Sequence, residues 1–217
     1  MDMSMFIGFH IGKSEGIRLP FGNALISGPT GCGKSNLLRQ MMIKIAREYS
    51  PAKMSFIVFD PKRADFAFAN SIPNLLFQAA KTSEEEAKAY DFLSKEFTSR
   101  DAFPKRRKPT QMKYLFVIVD EFDALCNPEQ LAELFFESKK TRRGLFFLVA
   151  SQNEDFVPVM LKAADYRFLF APRNKRGMSK AERKALSLPG NFVILEAASE
   201  MRKTIVHSEL IPQQILR

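Results

Sequence analysis

Short, uninterrupted apolar runs alternate along this chain with longer amphipathic or polar stretches. The runs NALIS, MSFIVFD, KYLFVIVD, GLFFLVAS, YRFLFA and NFVILEA are rich in β-branched and aromatic residues. A continuous apolar run bounded by polar segments suits a strand buried on both faces, which is how a parallel sheet reads. Between the runs the pattern predicts helices at about 35–48, 82–99, 128–142, 157–164 and 178–187. Strands alternating with helices give an α/β fold, a mostly parallel central sheet flanked by helices. The stretch SRDAFPKRRKPTQMK, residues 99–113, joins two prolines to a run of cations and reads as an exposed loop before the next strand. The final IPQQILR reads as a terminal tail or packing segment, and there is no internal repeat or low-complexity tract.

With 217 residues the chain can bury one substantial core but not two ordinary ones, so residues 1–217 are expected to form a single domain. A hydrophobic fraction of 46% and a charged fraction of 26% are those of a soluble globular protein. No apolar run approaches the roughly 18 residues of a membrane span. The start MDMSMFIGFHIGKSEG has an acidic second residue and no cleavage-type apolar region, unlike a secretory signal. Cys32 and Cys126 make neither a disulfide framework nor a metal-ligand set, and a reducing cytoplasm is the simplest setting. A net charge of +9 suits a polyanionic partner, whose counterions clustered cations would release, and equally suits ordinary solubility.

The chemistry concentrates where the first apolar run ends. Ala24 to Ser27 leads into Gly28-Pro29-Thr30-Gly31-Cys32-Gly33-Lys34-Ser35, and a helical stretch follows from Asn36. This strand, glycine-rich octet and helix form a P-loop context. Glycines let backbone N–H groups close around phosphate, and the helix presents its positive end to the same anion. Gly28, Pro29, Thr30, Gly31, Cys32, Gly33, Lys34, Ser35 and Asn36 are therefore the candidate ATP-binding residues. Lys34 is expected on the β- and γ-phosphates and the Ser35 hydroxyl on Mg2+. A second run, Tyr114 to Val119, ends in Asp120-Glu121, at the strand end where open parallel sheets place ligand chemistry. Asp120 is expected to hold Mg2+ and Glu121 to act as general base on the attacking water. Adjacent residues on a strand point to opposite faces, so the chain must turn at Glu121 for both to serve one site. The LFFLVASQN run ends in Ser151-Gln152, and Gln152 is the candidate sensor of the γ-phosphate or lytic water.

With these elements in order, the chain resembles the FtsK/SpoIIIE group of the HerA–FtsK ATPases, within the RecA-like P-loop motors. Four stretches carry the likeness: GPTGCGKSNLL, FIVFDPKRADF, FVIVDEFDAL and TRRGLFFLVASQ, together spanning roughly residues 22–170. The Asp60-Pro61-Lys62 sequence after the second run is the most discriminating. The resemblance implies a homo-oligomeric ring, usually of six subunits, with ATP between neighbours and an arginine finger, for which Arg143 or Arg142 is the matching position. The alternative for these two is a pair of solvated arginines at a helix end. SQN stands where the chromosome translocases have TQRP, and no winged-helix module, linker or membrane segment is evident. That places the sequence in a divergent branch, nearer in size to conjugation or genome-packaging ATPases or to one motor domain.

Cations cluster at Lys105-Arg106-Arg107-Lys108, at Lys139-Lys140-Arg142-Arg143, and from Arg173 through Lys175, Arg176, Lys180 and Arg183 to Lys184. Each alone suits a solvated face; beside a motor they suit the phosphate backbone of double-stranded DNA. Lys62 and Arg63 suit nucleotide, polymer or an exposed turn. His10 and His207 have no acid or serine at a useful spacing, and Phe66, Phe68 and Phe156 suit packing better than substrate contact. The leading expectation is an ATP-driven DNA translocase or packaging motor, cytoplasmic or virion-associated, with a possible membrane or capsid partner. Relatives of this group also drive type VII protein export. A small phosphotransferase and a nucleotide-binding regulator without turnover are the other readings.

Overall fold

A computed structural model describes residues 3–10, 14–63, 65–102, 112–141, 143–172, 176, 178–196 and 199–208. The strands are β1 (Ser4–His10), β2 (Gly16–Pro20), β3 (Ala24–Ser27), β4 (Met54–Phe59), β5 (Tyr114–Val119), β6 (Leu145–Ser151), β7 (Tyr166–Phe170), β8 (Asn191–Glu196) and β9 (Ser199–His207). The helices are α1 (Lys34–Glu48), α2 (Ser83–Ala102), α3 (Pro128–Thr141), α4 (Pro158–Ala163) and α5 (Lys180–Ala185). All strands join one sheet in the order β2-β1-β9-β8-β7-β3-β6-β5-β4.

The sheet is mixed, and this corrects the expectation of a mostly parallel one. Strands β7, β3, β6, β5 and β4 are mutually parallel, with four parallel pairings. The pairings β7–β8, β8–β9, β9–β1 and β1–β2 are antiparallel. The reversal has a cause in α5. A parallel return needs a crossover helix lying on the sheet, but the six residues KAERKA bury none of their side chains. The chain therefore turns back at the same sheet edge, and Phe170 pairs with Phe192 across β7 and β8.

The five parallel strands read as continuous apolar runs because both faces are covered. Ile26, Phe56, Val58, Phe116, Ile118, Leu148 and Phe168 face α1, whose Leu37, Leu38, Met41 and Ile45 are buried against them. Leu25, Ile57, Phe59, Val117, Val119, Phe147 and Val149 face the α2, α3 and α4 side, packed with Leu93, Leu131, Phe135 and Met160. Asn23, 2% exposed, ties the entry of β3 to its neighbours. Its amide donates to the Ser138 hydroxyl at 2.7 Å and accepts from the Phe147 N–H at 3.0 Å. Phe66 and Phe156 are buried, so they pack rather than face a substrate. Among the described residues no helix is long and apolar enough to cross a membrane.

Candidate nucleotide site

Parallel strands end at one edge of the sheet, so the polar residues that follow them meet there. In strand order that edge carries the glycine-rich loop after β3, Gln152 after β6, Asp120 and Glu121 after β5, and the Asp60 turn after β4.

The loop depends on glycine at two points. Gly28 has φ 153°, and a Cβ there would lie 2.6 Å from the Phe170 Cβ. Gly33 caps α1 with φ 111°, a left-handed geometry, and sits against Gly190 with only 3.1 Å available to a Cβ. The cap supplies no side-chain acceptor and the first turn of α1 contains no acid. The start of α1 therefore presents the positive end of the helix dipole, which favours an anion, to the loop. Lys34 is 4% exposed, and its ammonium donates to the carbonyls of Gly28 at 2.8 Å and Pro29 at 3.1 Å. That holds the cation across the mouth of the loop. From the far end of the chain, the Gly190 N–H donates to the Cys32 carbonyl at 2.8 Å. Burial raises the Cys32 thiol pKa against the pull of Lys34, which leaves it protonated and a poor nucleophile.

Ser35, on the first turn of α1, donates its hydroxyl to the Asp120 carboxylate at 2.9 Å and 3.1 Å, joining the loop helix to the acid strand. Burial pushes the Asp120 carboxyl up to about 6; the Ser35 hydrogen bond opposes this, while Asp65, Glu121 and Asp60 add to it. An acidic centre this crowded and this dry favours a divalent cation. No cluster of three or more His, Cys, Asp or Glu suited to a metal occurs among the described residues. A single buried carboxylate beside a hydroxyl is a donor set of the kind Mg2+ takes, with water and phosphate oxygens completing its octahedron.

Glu121 has φ 67° and ψ 71°. The turn that strand alternation demanded is therefore made by a non-glycine residue in the left-handed region, a strained geometry of the kind found at functional sites. Its side chain is 12% exposed and lies 3.2 Å from the Lys62 ammonium. Gln152 follows directly on Ser151, which pairs in register with Ser27 at the start of the loop. The Asp123 carboxylate accepts from the Ser151 hydroxyl at 2.6 Å and from the Gln152 N–H at 3.2 Å, fixing the end of β6 beside that of β5.

Arg143 is not brought to this group. It precedes β6 and so lies at the opposite sheet edge. Its guanidinium, 14% exposed, donates to the carbonyls of Arg100 and Asp101 at the end of α2, the latter at 2.9 Å. Arg142, the cluster at 105–108, Arg173 and Lys175 lie outside the described residues. Lys139 pairs with Asp165, and Lys140 with Glu137 at 2.6 Å, so that cluster is partly neutralised within the chain. Lys180, Arg183 and Lys184 are exposed. Sequence reasoning left undecided what Lys62 meets, and missed the part of Gly190; both contacts join residues far apart in the chain.

Residues 6–109 match the model of the FtsK/SpoIIIE family. The DNA translocase FtsK of Caldanaerobacter subterraneus subsp. tengcongensis is 24% identical over 157 residues, 64% of this chain and 22% of that protein. The chain thus spans about a fifth of the length of such curated relatives. The cytoplasmic domain of the Thermomonospora curvata type VII secretion ATPase EccC superposes with a TM-score of 0.74 at 20% identity, covering 96% of this chain and 26% of that one. The pCW3 conjugation coupling protein TcpA, monomer form with ATPgS, gives 0.70 at 14% identity, covering 100% and 70%. At these identities the structures speak for the α/β fold of P-loop ATPases. Together with the family-model match over residues 6–109, they make this chain similar to the FtsK/SpoIIIE ATPases.

Proposed function

We propose that this chain is the motor unit of an ATP-hydrolysing translocase acting on double-stranded DNA. The observation that carries the ATPase half is the Ser35–Asp120 hydrogen bond at 2.9 Å, which unites the loop helix and the acid strand beside Lys34 and Glu121. In this reading the backbone N–H groups of the loop from Gly28 to Asn36, all but that of Pro29, which has none, and the Lys34 ammonium hold the triphosphate. Ser35 and Asp120 would hold Mg2+, which would neutralise charge on the phosphate oxygens. Glu121 takes a proton from the water that attacks the γ-phosphorus, and Gln152 orients that water. A homo-oligomeric ring, hexameric by likeness, would let a neighbour's arginine enter the site. Arg143 stays a candidate at the cost of its bonds to α2. A cytoplasmic or virion setting, and a membrane or capsid partner, belong to the same reading.

The DNA half is supported by the translocase relatives and by the net charge of +9. Its test is ATP turnover with and without linear double-stranded DNA at low and physiological salt. Stimulation that weakens steeply with salt is expected, because each phosphate contact adds about 0.9 to the logarithmic slope. Turnover indifferent to DNA at both salts would move the substrate to a protein.

A further inference from the structure

The turn after β4 reaches the proposed base. Asp60 is 1% exposed and accepts from the Phe66 N–H at 3.2 Å, and Arg63 closes the turn by donating its N–H to the Asp60 carbonyl at 2.9 Å. Arg39 on α1 pairs with Asp65 at 3.2 Å, and the Arg63 side chain donates to the Lys81 carbonyl at 3.2 Å. The segment is thereby pinned on both sides, and the Asp120 N–H donates to the Phe59 carbonyl at 3.0 Å beneath it. Pro61 stiffens the turn, and Lys62, next along, projects its ammonium to 3.2 Å from the Glu121 carboxylate. The two partners differ in exposure: Glu121 is 12% exposed and Lys62 46%.

We propose that Lys62 is a positioning residue that restrains Glu121 until a polymer phosphate draws its ammonium away. An ammonium on the carboxylate occupies a lone pair that a base needs for the proton of water. The half-exposed lysine can exchange one anion for another with little desolvation, and the neighbouring Arg63 side chain is exposed on the same turn. The exchange would couple polymer contact to hydrolysis through a single side chain. This rests on the reading of Glu121 as base and of DNA as polymer.

The experiment compares wild type, Lys62→Ala and Lys62→Arg in steady-state ATP hydrolysis over a range of ATP concentration, with and without linear double-stranded DNA. Without DNA, kcat of Lys62→Ala is expected to rise by about fivefold, equivalent to about 1 kcal/mol, with KM for ATP unchanged. Its stimulation by DNA should shrink in proportion, and Lys62→Arg should keep both the restraint and the stimulation. A rate for Lys62→Ala at or below wild type, with stimulation intact, overturns the proposal. If wild type ignores DNA while Lys62→Ala still gains rate, the DNA reading fails and the restraint on Glu121 stands.

Discussion

At the scale of single residues the account turns on which side chains bind and which react. Charge-assisted hydrogen bonds are worth about 1.5–3 kcal/mol each, so Lys34→Ala should weaken ATP binding by about tenfold or more. Glu121→Gln should leave binding near wild type and lower turnover by about 10²–10⁴. Titration with ATP and a single-turnover assay separate the two, and brisk hydrolysis by Glu121→Gln would remove Glu121 from its role. Asp120 makes a different prediction. Its pKa, about 6 when folded against an ordinary 3.8, means that the folded chain binds a proton across that interval which the unfolded chain does not. Stability from this group is therefore present below about pH 4 and lost as pH rises through about 6, a difference of about 3 kcal/mol. In metal-free buffer, Asp120→Asn should melt higher than wild type at pH 7.5, and the gap should narrow at pH 5. An equal gap at both values would contradict the shift. Much of this was legible early, since the octet, the Asp-Glu pair and the need for a turn at Glu121 are local features. The Lys62 contact was not, because nothing local links residue 62 to residue 121.

At the scale of elements, the six apolar runs became β3 to β8 because burial on both faces leaves a strong, contiguous signal. β2 left almost none: it buries only Leu19 and alternates weakly. β1 is buried from Met5 to Gly8, but Gly8 interrupts its pattern, so alternation along it is a weak strand signal. The sign of β8 was hidden as well, since the burial pattern of a strand does not record direction; the exposed α5 was the clue. That reversal brings Gly190 onto the loop. Gly190 has φ 85°, and a Cβ there would stand 3.2 Å from the Ser208 hydroxyl. Gly190→Ala should therefore cost about 1–3 kcal/mol of stability. Because the Gly190 N–H holds Cys32, the substitution should also raise KM for ATP more than it lowers kcat. Denaturant melts and ATP titrations of the variant check both, and an unchanged KM would show that β8 does not support the loop.

At the scale of the whole molecule, a sheet that is half parallel and half antiparallel assigns its two halves different tasks. The parallel strands assemble the site at one edge, and the turn that leads into antiparallel β8 touches the loop through Gly190. The sequence showed the first task and was silent on the second. A ring with a neighbour's arginine in the site requires that turnover per subunit climb with protein concentration, where a self-sufficient monomer gives a flat line. Arg143→Ala separates the two places for that residue. If it acts only within its own chain, loosening the end of α2, the melting temperature falls and the concentration dependence persists; if it acts in trans, the dependence disappears. The central claim, that this chain moves along DNA at the expense of ATP, is tested most directly by displacement of a third strand from a triplex placed at one end of a linear duplex. The account predicts release that requires ATP, slows as the duplex lead is lengthened, and vanishes in Glu121→Gln. DNA-stimulated hydrolysis with the third strand still bound would contradict it.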